Sequence, residues 1–215
     1  MSFLAGTVSC VLSISIAAWC QPQVAQIDWT GVYTAQELPE DAGWGGGGGE
    51  NTSAEITEQG LHLVDAGTKN TELRSYSRSW GARPDRGALV QATVKVVSCT
   101  SRAGICLLAA DGVHEEAITL YPDRVECGGS GLIHPMDTSD DFHTYQLRIS
   151  GMSFEVRVDG ALVIDGWGLL TAPAHQGRNV VVFGSISSAS TGEAYFRDVR
   201  YSTGFRLALR LHYLF

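Results

Sequence analysis

The chain has 215 residues, a formal net charge of -8, 44% hydrophobic residues and 18% charged ones. That is an ordinary globular balance, with enough chain for one sizeable core in a single domain. The acidic excess and the absence of a basic stripe exclude a nucleic-acid partner, whose binding rests on clustered Lys and Arg, and the longest apolar stretch, Val8 to Ala18, is too short to span a bilayer.

In chain order, residues 1–26 read as an export signal. Val8 to Ala18 has the length of a signal h-region, and small residues follow it, so cleavage is expected near Cys20 or Ala25. The segment before it carries no Lys or Arg. Lipidation at Cys20 and a buried N-terminal strand are the alternatives, and Trp19 fits the first of these poorly. The expected compartment is extracellular or periplasmic. Residues 27–204 then form one domain, followed by a tail, 205–215, in which Leu207, Leu209, Leu211, Tyr213 and Phe215 alternate with polar positions as in an edge strand.

Trp29 to Ala35 predicts a first strand. Gly45 to Gly49 is an unbroken glycine run, read as a mobile surface loop because glycine loses most freedom on ordering. No Lys, Ser or Thr closes it and no helix follows, so it is not a phosphate loop. Ala54 to Asp65 predicts a hairpin about Gln59-Gly60, and Thr71 to Ser77 another strand. From Ala88 to Val96, apolar residues at every second position give a long strand with one buried face. Ile105 to Ala110, Glu116 to Tyr121 and Arg124 to Cys127 follow, and Gly128 to Asp141 reads as a loop.

Tyr145 to Gly166 carries the clearest pattern. Tyr145, Leu147 and Ile149 alternate with Gln146 and Arg148; Phe154, Val156 and Val158 alternate with Glu155 and Arg157. Ser150-Gly151 and Asp159-Gly160 stand where tight hairpin turns require positive φ. The segment predicts a three-stranded meander. Gly166 to Arg178 is a second long loop, and Val180 to Ile186 and Glu193 to Ser202 are closing strands. In the last of these the apolar phase slips between Phe196 and Val199, which predicts a bulge at Arg197-Asp198. About a dozen strands and no helix predict an all-β, antiparallel jelly-roll sandwich.

Five cysteines divide by position. Cys10 and Cys20 belong to the export segment. Cys99 and Cys106 flank a short loop between two strands, where either a disulfide or two small buried side chains would fit. Cys127 is left over.

Three segments carry a family likeness: DDFHTYQLRISGMSFEVRVDGALVIDG (140–166), VVVFGSISSASTGEAYFRDVRY (180–201) and ALVQATVKVV (88–97). With them the chain resembles the concanavalin A-like lectin/glucanase superfamily, in particular the laminin-G-like jelly-roll modules of secreted bacterial proteins. The resemblance spans Trp29 to Ser202 and implies the sandwich fold and a polysaccharide or glycan partner. It leaves lectin, enzyme and protein-adhesion module open, because fold alone does not assign function. The hydrolases of that superfamily place paired carboxylates on one strand face. Here Glu115 and Glu116 are adjacent and point to opposite faces, and Glu155 has no acidic partner on its strand. Asn70-Thr71-Glu72-Leu73-Arg74 and Leu132-Ile133-His134 resemble motifs of jelly-roll alginate lyases. Carried over, Arg74 would neutralise a substrate carboxylate and His134 would move a proton, although Asn70 and Leu132 depart from those motifs.

The expected ligand set is Glu72, Arg74, Tyr76, Trp80, His114 and His134, on the concave sheet that the resemblance implies. Trp44, Tyr76, Trp80 and Trp167 stand at loops or loop edges, where aromatic faces stack on sugar rings or close the core. His114, His134 and His143 read as loop histidines. Calcium occurs in the superfamily, and Asp137, Asp140 and Asp141 offer it oxygen ligands, or else form a solvated turn.

Overall fold

In a computed structural model, residues 27–69, 71–186 and 190–204 are described. Residues 1–26, on which the expected export signal with Cys10 and Cys20 falls, Asn70 and the tail 205–215 lie outside them. The strands are β1 (Gly31–Tyr33), β2 (Gly45–Gly47), β3 (Thr52–Thr57), β4 (Gly60–Asp65), β5 (Ser75–Ser79), β6 (Ala88–Cys99), β7 (Cys106–Asp111) and β8 (Glu115–Tyr121). They continue as β9 (Arg124–Cys127), β10 (Ile133–Pro135), β11 (His143–Ser150), β12 (Ser153–Val158), β13 (Ala161–Gly166), β14 (Asn179–Gly184) and β15 (Gly192–Thr203), with one 3-10 turn at His175–Gly177.

All strands pair antiparallel in two sheets. The eight-stranded sheet runs β13-β12-β11-β6-β15-β4-β3, with β1 also on β15; the seven-stranded sheet runs β10-β9-β8-β7-β14-β5-β2. The chain is an all-β antiparallel jelly-roll sandwich.

The meander forms as its pattern predicts: Leu147 faces Val156, and Val156 faces Ile164. Its second turn places Asp159 at φ 50° and Gly160 at φ 84°, the geometry that a two-residue hairpin needs. The bulge in β15 falls between Phe196 and Asp198. It lets Ala194 and Phe196 before it, and Val199 and Tyr201 after it, all reach the core.

The core lies between the sheets. Val90, Ala92, Val94 and Val96 of β6 and Leu147 and Ile149 of β11 meet Leu107, Ile118, Leu120 and Val181 of the other sheet. Phe183 is its aromatic hub, with ring centroids of Trp44 at 5.0 Å and of Tyr76 and Phe196 each at 5.3 Å. Burying each such side chain fully contributes about 1.5–3 kcal/mol.

Four expectations are corrected here. First, the glycine run is not a free loop: Gly45–Gly47 is the edge strand β2, paired with β5. A Cβ on Gly46 would lie 2.8 Å from the Tyr76 ring, and one on Gly49 2.6 Å from Glu72 Cγ, so glycine is what lets this backbone press onto β5. Second, the loop 128–141 contains a short strand, β10, on the edge of β9. Third, Cys99, Cys106 and Cys127 are free and buried. Cys99 and Cys106 end and begin strands of opposite sheets, so they are not cross-strand neighbours; Cys99 donates to the Ser101 carbonyl and Cys106 to that of Gly184. Fourth, Trp44, Tyr76 and Trp80 are core residues, at 4%, 0% and 7% exposure, whereas Trp167 is half-exposed.

Candidate functional site

The residues expected to bind ligand do not converge. Tyr76 is enclosed, and Trp80 closes one end of the core with its indole N–H on the Ala110 carbonyl at 2.8 Å. Glu72 is buried as a loop clasp. Its carboxylate accepts from Thr68 N at 3.0 Å, Lys69 N at 3.3 Å and Asn51 Nδ2 at 3.2 Å. These donors, Thr68 N–H foremost, hold its pKa below the ordinary glutamate value. Arg74 turns to the same side as Tyr76, beneath Gly48, and pairs with Glu40 at 3.6 Å. His114 is half-buried at the β7–β8 turn, its backbone N–H donating to Asp111 Oδ1 at 2.8 Å.

His134 lies opposite Val125, whose side chain belongs to the core. Its strand forms one edge of the seven-stranded sheet, and Arg74 precedes β5 near the other, with β9, β8, β7 and β14 between. At about 4.8 Å per strand the two are roughly 24 Å apart. One sugar unit cannot touch both, so the fold does not bring Arg74 and His134 together at one site. The acidic loop is a set of local turns: Asp137 accepts from Ser139, Asp140 from Asp141 N and His143, and Asp141 from Phe142 N. Among the described residues no group of three His, Cys, Asp or Glu is placed to hold a metal ion.

A different place on the molecule has the shape of a site. Side chains that face each other across paired strands point to the same side. Leu108, Ala117, Val182 and Ser77 form such a row across β7, β8, β14 and β5, on the side away from the core. This outer face of the seven-stranded sheet carries a groove of 500 Å³. Its floor is Leu108, Val180 and Val182, with Ser75 and Ser77 beside them; Glu115, His175 and Arg178 form one wall, and Leu73 and Ile186 the other. A second hollow of 190 Å³ adjoins it, sharing Leu108, Glu115 and Ile186, and adds Arg102, Glu116 and Thr119.

The wall is built by the loop after β13. Glu115 N donates to the Ala172 carbonyl, Ala174 N to that of Val113, and His175 N to Glu115 Oε2 at 2.9 Å. The loop therefore folds back over β8 and brings His175 and Arg178 to the groove. Arg178 Nε donates to the His175 carbonyl at 3.3 Å, which seats its guanidinium on the rim.

The carboxylates decide what chemistry is available. The outward positions of β8 are Glu115, Ala117 and Thr119, so one acid faces the groove from this strand. Glu126 of β9 lies opposite Thr119. Four residues along a strand span about 13 Å, beyond the roughly 5–9.5 Å that glycosidase carboxylate pairs require. Glu116 is 2% exposed, and its Oε1 accepts from Ala117 N and Gly129 N at 2.9 and 2.7 Å. Burial raises its pKa despite the opposing Gly129 and Ala117 N–H groups. Its role is to hold the turn after β9 against β8.

No family model matches the sequence, and no curated protein is significantly similar to it. Solved structures do match. The Bacillus licheniformis β-glucanase aligns at TM-score 0.53 and 15% identity over 83% of this chain and 100% of that one. A carbohydrate esterase from Shiga toxin-encoding bacteriophage phi24B aligns at TM-score 0.56 and 13% identity over 80% and 97%. The cellulose-induced protein Cip1 aligns at TM-score 0.53 and 10% identity over 76% and 92%. The fold is the concanavalin A-like jelly roll. At such identities the concanavalin A-like match speaks for architecture alone. Among the described residues no helix is long and apolar enough to cross a membrane.

Of the groove residues, Glu115 stands in the sequence beside Glu116 as half of a dyad that does not form, and Leu73 lies inside the motif 70–74. Val180 and Val182 were hidden inside the run Val180 to Phe183, which is apolar on both faces and so gives no sign of which side is open. His175 and Arg178 sit in a loop without periodicity. The available signal was that closing strand itself: an uninterrupted apolar run in a sheet with one solvent face leaves apolar side chains on that face.

Proposed function

We propose that this chain is a secreted, lectin-like jelly-roll module, laminin-G-like in type, that binds a glycan in the groove on the outer face of the seven-stranded sheet. In this reading residues 1–26 are the export signal and 27–204 the binding domain. The observation that carries the proposal is the groove itself: an apolar floor of Leu108, Val180 and Val182 bordered by Ser75, Ser77, Glu115, His175 and Arg178. Such a lining suits a ring with apolar faces and hydroxyl edges. The β-glucanase and carbohydrate esterase of the same fold lend support, since their names place carbohydrate with this architecture. Binding is favoured over turnover because one carboxylate, not two, faces the groove from β8.

Isothermal titration against a panel of soluble polysaccharides tests the proposal. Dissociation constants from micromolar to millimolar are expected, and binding is expected to vanish in Ser77→Trp, whose indole fills the floor. A panel with no binder at millimolar concentration would refute it. The adhesion reading rests on a separate feature, the exposed trio Met152, Trp167 and Leu169 at 49%, 51% and 45%. It would be favoured by a protein partner lost in Trp167→Ser but retained in Ser77→Trp.

A further inference from the structure

The charges around the groove differ in how far they are already engaged. Among the described residues, Arg102 and Arg178 make no ion pair within 4 Å, the charge of Arg102 acting on Glu116 only from a greater distance. Both are exposed, and each has one donor committed to a backbone carbonyl: Arg178 to His175 and Arg102 to Gly128. A guanidinium carries several N–H donors in a fixed planar fork, so most of each remains available. The two line adjoining hollows that share a border at Leu108, Glu115 and Ile186.

The acids beside them are more committed. Glu115 spends Oε2 on His175 N–H, and Glu116 is buried with Oε1 on two peptide N–H groups. The two hollows therefore present guanidinium donors with hydrogen-bonding capacity to spare, in a chain whose net charge is -8. A neutral sugar needs no such arrangement. A carboxylate or sulfate on a sugar ring matches the fork of a guanidinium with two parallel hydrogen bonds.

We infer that the glycan taken by this groove is an acidic polysaccharide, with Arg178 and Arg102 reading anionic groups at separate points along the chain. The inference rests on the glycan-binding reading above and adds the ligand class. Glu115 lies on the border between the two hollows, where it disfavours an anionic group at that position, so Arg178 and Arg102 each receive their own.

The test compares oligogalacturonates with malto-oligosaccharides of matched length, by titration calorimetry on the full chain. The uronate series is expected to bind at least about tenfold more tightly, and its affinity to fall with added salt, as screened ionic contacts do. Arg178→Gln and Arg102→Gln are each expected to weaken uronate binding about three- to tenfold and leave melting temperature unchanged. Glu115→Gln keeps an acceptor for His175 N–H and removes the charge, so uronate affinity should rise about threefold. Equal or better binding of the neutral series, or indifference to both arginine substitutions, overturns the acidic-ligand inference while the groove reading stands. Binding of neither series, in a protein that also ignores the wider glycan panel, fails the groove reading and this inference with it.

Discussion

The two outer faces of the sandwich are built from the same kind of strand but finished differently. On the eight-stranded sheet most outward polar side chains pair with one another, though the Nε of Arg157 is buried without a partner. His62 of β4 lies between Glu55 of β3 and Glu193 of β15, at 3.3 and 2.9 Å, and stacks on Tyr195 at 4.4 Å. Gln146 donates to Gln91 at 2.6 Å and accepts from Arg148 at 2.7 Å, while Arg157 pairs with Glu155 and Arg200 with Asp198. On the seven-stranded sheet the outward row is Leu108, Ala117 and Val182, which make a small apolar cluster with Ala110, Val180 and Ile186. The first face has most of its polar groups bound in its own ladder. The second has an apolar floor partly open to solvent and guanidinium donors with capacity to spare at its rim. On the glycan-binding reading proposed above, the second face is the one that receives the ligand.

The comparison can be broken most forcefully from inside, because both faces depend on the shared core. Phe183→Ala removes the aromatic hub between Trp44, Tyr76 and Phe196. A loss of about 3–5 kcal/mol is expected in denaturant unfolding. A cost under about 1 kcal/mol would mean that the sheets are not held together as described. Ser77→Trp comes next. It should abolish glycan binding while changing stability by less than about 1 kcal/mol, since Ser77 faces outward beside an open groove. Equal loss of binding and of fold would show that the groove is not separable from the core.

How much of this was legible in the residues follows from which side chains carry a pattern. Alternation in β6, β11 and β12 marked their buried faces, Asp159-Gly160 marked its turn, and the phase slip in β15 marked its bulge. A strand of glycines has no faces to alternate, so β2 was unreadable; only its approach to Tyr76 and Glu72 explains it. Tyr76 and Trp80 were misjudged because an aromatic near a turn is equally suited to a core and to a ligand. The groove could not be seen because it is assembled from β5, β7, β8, β14 and a distant loop. The Cys99–Cys106 disulfide failed for a related reason: a short connection looks like a hairpin, but here it crosses from one sheet to the other.

The structural face gives a smaller effect. His62→Ala leaves Glu55 and Glu193 without their shared partner on adjacent strands. A loss of about 0.5–1 kcal/mol is expected, with glycan affinity unchanged. A change in affinity would contradict the division of labour between the faces.

The smallest effect is one of pH, and it belongs to the rim of the eight-stranded sheet. His143 at the start of β11 sits between two acids, Nδ1 at 2.7 Å from Asp159 Oδ2 and Nε2 at 2.9 Å from Asp140 Oδ1. Partial burial disfavours the charged ring, but the hydrogen bonds to Asp159 and Asp140 outweigh it and raise the His143 pKa above its ordinary value. The imidazolium is therefore favoured more in the folded chain than in the unfolded one. Its stabilisation is fully present below the unfolded pKa, about 6.5, and is lost as pH rises through the higher folded value. His143→Gln should cost up to about 1 kcal/mol near pH 5.5, and the gap from the parent chain should close as pH rises through the raised folded value, the partial exposure of the pair keeping the figure small. Melting curves of the two chains at several pH values measure it. A gap that widens as pH rises would mean that His143 is neutral in this clasp and that Asp140 and Asp159 are held apart from it by something else.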